Sequence, residues 1–346
     1  MLARSMKRTV SIVGAGRVGK TLGKRLRERG WRIRAVVTRS AASARAAVRA
    51  IGAGTPFAAE KISPRQGGSA GLQPREKRPV LEGALAPGLA GLFRGSELEL
   101  RRKHAHLHGA LAPEVHALLQ SDLILFATPD DALPSIAEAL ATIAGSAWRG
   151  KIALHTSATL DRSTLAPLAR RGASVGSLHP MQAFGGAIVP NLRGVIFAIE
   201  GDPKARRIAH SIAKSLGGIP VAIATRDKPV YHAAAVMAGG SLYPVFEAGL
   251  RLLTGIGFTR PSAEQTLLPL ARQILDNIGR IGPRAAWTGP LSRGDYAIVA
   301  KHARALRRFA REIQESYAAL ALLAGRLLAK NPRAAMKQIH RALAAR

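Results

Sequence analysis

The chain of 346 residues contains no cysteine. That absence excludes disulfides, thiolate metal centres and cysteine nucleophiles. Aromatic residues make up only 4% of it, too few for the stacking platforms that hold single-stranded nucleic acid. Acidic residues are scarce as well: 21 Asp and Glu stand against 52 Lys and Arg, a formal net charge of +31. Such an excess attracts polyanions in low salt. It is spread along the chain instead of gathered into a block, so no dedicated nucleic-acid reading site is expected. No apolar run has the length of a membrane span, because Glu247 and Arg251 interrupt the best stretch, Ala233 to Leu253. The N-terminus passes almost directly into an apolar strand, without the hydrophobic segment of a secretory signal. A soluble cytoplasmic protein with room for two domains is the expectation.

What the chain does have is glycine in a telling place. Gly14-Ala15-Gly16-Arg17-Val18-Gly19 follows the apolar run Thr9 to Val13 and opens an amphipathic segment, Val18 to Arg29. G-x-G-x-x-G between a strand and a helix is the dinucleotide-binding fingerprint. The first glycine turns the chain, the second lets backbone N–H groups approach a pyrophosphate, and the third lets helix and strand pack closely. The helix N-terminus favours the anion. About twenty residues on, a second strand ends in Thr38-Arg39-Ser40. An NAD site places Asp or Glu there for the ribose hydroxyls, whereas Arg suits a 2′-phosphate. Arg39, with Ser40 donating a further bond, therefore points to NADP.

Strand and helix patterns alternate through the first two thirds, predicting a Rossmann-type doubly wound, mostly parallel sheet over 6–225. From about Pro229 the period becomes 3.6, which predicts an all-α domain over 226–346, with helices at Val230–Leu253, Ser262–Ile278, Tyr296–Arg311 and Glu315–Ala329. Residues 54–110, crowded with Gly, Pro, Arg and Ser, read as an irregular, partly disordered insertion. Its alternating His104, His106 and His108 lack the carboxylate or cysteine spacing that would complete a metal site, so no metal is expected.

In an open α/β sheet, ligands bind beyond the carboxyl ends of the strands. Those ends carry the glycine loop, Arg39, the turn Thr128-Pro129-Asp130-Asp131, His155-Thr156-Ser157, and Ser177-Leu178-His179-Pro180. His179 is the candidate for proton transfer, since imidazole ordinarily titrates near neutrality. Ser157 is placed to bond the substrate oxygen or to orient that imidazole. His155 reads as a structural donor under the loop, and His232 as a further cleft candidate. Ser157 with these histidines is not a hydrolase triad: no G-x-S-x-G elbow surrounds it.

Together these segments resemble a bacterial family of predicted NADP-dependent oxidoreductases, in which a Rossmann-like domain precedes a helical domain of unknown function. The resemblance lies in Val13 to Gly19, Thr38 to Ser40, Leu154 to Ser157, Ser177 to Phe184, Tyr231 to Val236 and Thr288 to Asp295. More distantly the chain is similar to prephenate dehydrogenases, pyrroline-5-carboxylate reductases and other 6-phosphogluconate-dehydrogenase-like enzymes. Ala158 stands where the nearer family has Gly, Gly239-Gly240 replaces a more polar pair, and the insertion is foreign to the pattern. The resemblance implies that Ser157 and His179 act together at a substrate hydroxyl. It also implies a homodimer through the C-terminal helices, with Tyr231, His232 and Arg293 contributing to the substrate site. Gly14, Ala15, Gly16, Arg17, Val18, Gly19, Thr38, Arg39, Ser40, Thr128 and Pro129 would hold NADP. The expected activity is hydride transfer to or from a C–O or C–N centre of a small anionic metabolite. A non-catalytic NADP-binding sensor and a nucleic-acid-associated basic protein are the alternatives.

Overall fold

The computed structural model describes residues 8–59, 113–186 and 189–345, and the chain divides into two compact units, Met1–Ala235 and Val236–Arg346. The first unit is built on an eight-stranded sheet in the order β3-β2-β1-β4-β5-β6-β7-β8. Its strands are β1 (Thr9–Val13), β2 (Arg32–Thr38), β3 (Thr55–Ala58), β4 (Leu123–Phe126), β5 (Ile152–His155), β6 (Ser174–Pro180), β7 (Ile196–Gly201) and β8 (Ile219–Ala222). Its helices are α1 (Arg17–Glu28), α2 (Ala41–Ile51), α3 (Pro113–Leu119), α4 (Leu133–Ala144), α5 (Ala166–Arg170), α6 (Pro203–Ser215) and α7 (Lys228–Ala235). The doubly wound, mostly parallel Rossmann architecture is thus the observed one.

Period-two alternation along the central strands divides the core between the sheet's two faces. Val10 and Ile12 of β1 and Leu123 and Leu125 of β4 pack with Leu22 and Leu26 of α1, Ile51 of α2 and Ile212 of α6. Ile124 and Phe126, pointing the other way, pack with Leu118 of α3, Leu133 and Ala137 of α4, and the fully buried Trp148. Each such aliphatic side chain contributes about 1.5–3 kcal/mol by leaving water. On the polar side of β1, Ser11 Oγ lies 2.8 Å from Ser121 Oγ, and Thr9 Oγ1 donates to Asp122 Oδ2 at 3.1 Å.

Two features depart from the sequence reading. The tract from residue 54 was expected to be irregular, yet Thr55–Ala58 forms β3, parallel to β2. Pro56 reads as loop punctuation, but an edge strand tolerates the missing N–H. The rest of the insertion, 60–110, including His104, His106 and His108, lies outside the described residues. Second, β6 and β7 are antiparallel. Gly176 and Gly201 face each other there, and a Cβ on Gly201 would meet Gly176 Cα at 2.5 Å. No helix appears among the described residues of 181–195, so the chain turns back instead of crossing over.

The second unit is helical. It opens with a π-helical turn at Val236–Gly240, followed by α8 (Leu242–Thr254), α9 (Arg260–Ile281), α10 (Tyr296–Leu306), α11 (Arg311–Leu327) and α12 (Pro332–Ala344). The single helix expected over Val230–Leu253 is therefore interrupted, where Gly239 and Gly240 supply the weakest helical propensity of any residue but proline. Ala321, Ala329, Ala335 and Ile339 form a small core between α11 and α12. A Cβ on Gly325 would meet Ile339 Cδ1 at 2.4 Å, so the two helices approach closely there. No helix among the described residues is long and apolar enough to cross a membrane.

Candidate active site

A cavity of about 920 Å3 lies along the carboxyl ends of the strands in the first unit. That volume is at the upper end for ligand sites. Gly14, Ala15, Gly16, Arg17 and Val18 line one end; Thr156, Ser157, His179 and His232 line the other, and Thr38, Arg39, Thr128 and Pro129 also border it. The residues expected to hold NADP or to take part in catalysis therefore share one cavity, except Gly19 and Ser40; Tyr231, expected at the substrate site, is not in its lining. Gly19 sits behind the loop. Ser40 instead caps α2, its hydroxyl accepting from Ser43 N–H at 3.3 Å, while Ser43 takes a place in the wall beside Arg39.

The glycine loop has the geometry the fingerprint requires. Gly14 has φ +82°, and a Cβ on it would meet the Ala127 backbone at 2.7 Å. On Gly19 a Cβ would meet Gly14 O at 2.3 Å. Gly16 is different: a Cβ there has nothing within 4 Å, and the residue caps α1 without a side-chain bond. The first N–H groups of α1 therefore open onto free space beside Arg17, which is where an anion is held. Thr128 Oγ1, in the facing wall, is buried without a partner among the described residues. A cradle with open space over a helix N-terminus, an orphaned hydroxyl and an exposed Arg39 beyond β2 fit a dinucleotide.

At the other end, two hydrogen-bond systems meet. In the first, Ser157 Oγ donates to Asp130 Oδ2 at 2.7 Å and accepts from Leu160 N–H at 3.0 Å and Thr159 N–H at 3.2 Å. Ser157 N–H donates to His155 Nδ1 at 3.2 Å, which leaves Nε2–H of that ring to donate to Asp161 O at 3.1 Å. His155 is fully buried, and desolvation, with Lys228 nearby, lowers its pKa to about 4. It is a neutral structural ring.

In the second system, His179 Nδ1 lies 3.0 Å from Tyr231 Oη, with the rings edge to face at 5.6 Å and 90°. Burial first, then Lys228 and His232, push the His179 pKa down to about 4, against a smaller opposing pull from Asp130. Burial pushes the Tyr231 phenol up to about 12. The imidazole therefore does not titrate near neutrality, and Ser157 does not orient it; Tyr231 does. Nδ1 of His232 is buried in the same cavity without a partner among the described residues.

Lys228 does not stand out in a sequence with 52 Lys and Arg. It is 1% exposed, and its Nζ donates to Ser177 Oγ at 3.0 Å and Ser157 O at 3.4 Å. Desolvation lowers its pKa, while the carboxylates of Glu200, Asp161 and Asp130 act the other way. Glu200, itself buried, accepts from Arg162 N–H at 2.9 Å. Because α7 presents positions i, i+3 and i+4 on one face, His232 lines the cavity while Tyr231 meets His179 and Lys228 meets Ser157 and Ser177. That spacing is the one signal that could have found the lysine.

Residues 100–180 match the Rossmann-like domain, and residues 195–324 match DUF2520, a domain of unknown function. The chain thus joins a Rossmann-like domain to a DUF2520 domain, and the latter match begins before β7, inside the sheet. Among curated proteins none matches it in sequence. Solved structures share the fold over nearly the whole chain. BF3122 from Bacteroides fragilis, an NADP oxidoreductase by designation, superposes with TM-score 0.61 at 17% identity, covering 95% of this chain and 98% of that one. Protein TM1727 from Thermotoga maritima gives 0.59 at 19%, covering 96% and 100%. The reductive aminase from Aspergillus terreus, in complex with NADPH and ethyl-5-oxohexanoate, gives 0.57 at 15%, covering 92% and 93%. At these identities the likeness is one of fold.

Proposed function

We propose that this protein is an NADP(H)-dependent oxidoreductase that moves hydride between nicotinamide and a C–O or C–N centre of a small metabolite. The observation that carries the reading is the single cavity running from the glycine loop to His179. BF3122 by its designation, and the reductive aminase by its bound NADPH, support the cofactor. The end of β2 supports the phosphate form: Arg39 is exposed in the cavity wall, and Thr38-Arg39-Ser40 carries no carboxylate, the acidic side chain on that side of the lining being Glu114 of α3.

The loop N–H groups at Gly14 to Val18 would hold the pyrophosphate, and Arg39 with Ser43 would receive the 2′-phosphate. When bound, the nicotinamide supplies or accepts hydride. The protein's own part lies at the far end. Neutral His179 offers a hydrogen bond to the reacting oxygen or nitrogen. Ser157, tied to Asp130, shapes the adjoining wall, and buried Lys228 ties the Ser157 carbonyl to Ser177. Calorimetric titration tests the cofactor. NADPH should bind clearly tighter than NADH, and Arg39→Asp should narrow or reverse the difference, costing on the order of 1.5–3 kcal/mol for a lost charge-assisted bond. Equal affinities in the parent protein overturn the assignment. A turnover screen with NADPH across small oxo-acids and imines tests the reaction.

A further inference from the structure

We infer that Tyr231 fixes His179 as the neutral Nε2–H tautomer, so that the site receives its substrate as a hydrogen-bond acceptor, a carbonyl or an imine. Tyr231 is a positioning residue in this scheme, acting through the imidazole. The inference rests on the proposed oxidoreductase reading for the word substrate, but its structural half stands without it.

The geometry has two possible directions, and chemistry separates them. At 3.0 Å, either the phenol donates to Nδ1, or Nδ1–H donates to the phenol oxygen. Phenol is the better donor and neutral imidazole nitrogen the better acceptor, as their ordinary acidities show. In the reverse direction the phenol hydrogen would be left to solvent, since half-buried Tyr231 Oη has no other partner among the described residues. The phenol therefore donates, Nδ1 accepts, and the ring proton sits on Nε2. That nitrogen has no protein partner among the described residues and is not among the buried unpaired atoms, while the ring lines the cavity. Around the pair stand Lys228 and His232 of α7 and Asp130 of the loop after β4. Burial and the nearby Lys228 outweigh the carboxylate, so the ring stays uncharged.

A neutral donor cannot take a proton from an alcohol as an imidazolium-forming base without loss, but it suits a group that gains negative charge. As the bound carbonyl is reduced, with the hydride coming from the reduced dinucleotide, the electron pair of the C=O bond moves onto oxygen. The Nε2 proton passes to that oxygen, and the Tyr231 hydroxyl proton passes to Nδ1. The ring ends neutral with its tautomer exchanged. Nε2 then takes a proton from solvent as Nδ1 returns its own to the phenolate, which restores the starting state.

The test uses the intact ligand-free protein labelled with 15N histidine, with His179 assigned through the His179→Gln variant. Nitrogen chemical shifts should show a single neutral Nε2–H tautomer at His179 from about pH 5 to 9. Tyr231→Phe should release the ring into a mixture of tautomers while His155, held by the Ser157 N–H, keeps its own. A dominant Nδ1–H form in the parent protein, or an unchanged tautomer in Tyr231→Phe, overturns the inference. Both readings are independent of turnover. A failed substrate screen sinks the oxidoreductase proposal alone, whereas a wrong tautomer sinks this inference alone.

Discussion

Ser157 gives its hydroxyl proton to Asp130, with 2.7 Å between Oγ and Oδ2. That bond decides how the end of the cavity is organised. A serine committed to a carboxylate, and accepting two backbone N–H bonds besides, has no capacity left to hold an imidazole. His179 is held from the opposite side by Tyr231. The two polar systems face one space, and Lys228 bonds the Ser157 carbonyl beneath. Ser157 and His179, which resemblance to prephenate dehydrogenases implies act together at a substrate hydroxyl, make no hydrogen bond to each other among the described residues.

Gly16 and Gly19 should respond differently to the same substitution. A methyl at Gly19 meets the Gly14 carbonyl at 2.3 Å, a backbone atom that cannot yield cheaply. Gly19→Ala should therefore lower the melting temperature as well as abolish NADPH binding. At Gly16 a methyl meets nothing, and φ is −68°, so the free protein should tolerate Gly16→Ala. Its NADPH affinity should still fall by about tenfold or more, because the methyl occupies the approach of the pyrophosphate. Thermal scans with and without NADPH read both effects. Undiminished affinity in a stable Gly16→Ala protein would put the ligand elsewhere.

Acid should weaken the fold through its buried rings. His155 has a folded pKa of about 4 against an ordinary value of 6.5. Above 6.5 the ring is neutral in both states and costs nothing. As the pH falls from about 6.5 toward 4, the unfolded chain takes the proton first, and stability is lost. At about 1.4 kcal/mol per pKa unit, the full loss from His155 is on the order of 3 kcal/mol. Urea unfolding at pH 7, 6 and 5 should trace this decline. His155→Asn, whose amide oxygen can still accept from the Ser157 N–H, should flatten it. Equal slopes in the two proteins would show that another group carries the acid sensitivity.

The strand-helix alternation and the glycine loop were legible because short-range physics sets them. An apolar run such as Leu123–Phe126 reads as a buried strand, and glycine before a helix reads as a tight turn. Arg39, His155 and His179 were legible as strand-end residues for the same reason. What escaped depends on partners distant in sequence. The antiparallel direction of β7 brings Gly176 and Gly201 together across the sheet, and the Ser157–Asp130 bond comes from the neighbouring ends of β4 and β5. Lys228 escaped because its burial is a tertiary fact, and a lysine in this chain is by default a surface residue. α12 escaped because its apolar positions, Ala335, Ile339 and Ala342, are few and small.

For the helical unit we propose a second copy of the chain as partner. Leu270, Ile274, Ile278 and Ile281 of α9 recur at i, i+4, i+8 and i+11, and all four are exposed. Met237, Leu242 and Tyr243 are exposed earlier in the same unit. A continuous apolar stripe on a helix marks a protein contact. Light scattering on the eluting protein should give twice the chain mass of 36.5 kDa, and Ile274→Asp should give a soluble monomer. A parent protein that runs as a monomer at micromolar concentration would end this proposal.

The last prediction separates an enzyme from a binding protein and turns on His179. Gly14 to Val18 and Arg39 stand at the other end of the cavity from its ring, so NADPH affinity should be nearly unchanged in His179→Ala. Turnover of the substrate found by screening should fall by roughly 10²–10³, the usual cost of removing one donor aimed at a developing oxyanion. A general base would instead impose a pH optimum set by its own ionisation. With its pKa near 4, His179 predicts a reduction rate that does not fall as the pH rises from 6 to 8. A rate that falls tenfold per pH unit across that range would mean a protonated acid is required, contrary to a neutral donor. Undiminished turnover in His179→Ala would move the role to His232, whose Nδ1 is buried in the same cavity with no partner among the described residues. Tight NADPH binding with no turnover of any oxo-acid or imine would favour a sensor that reports the state of the dinucleotide.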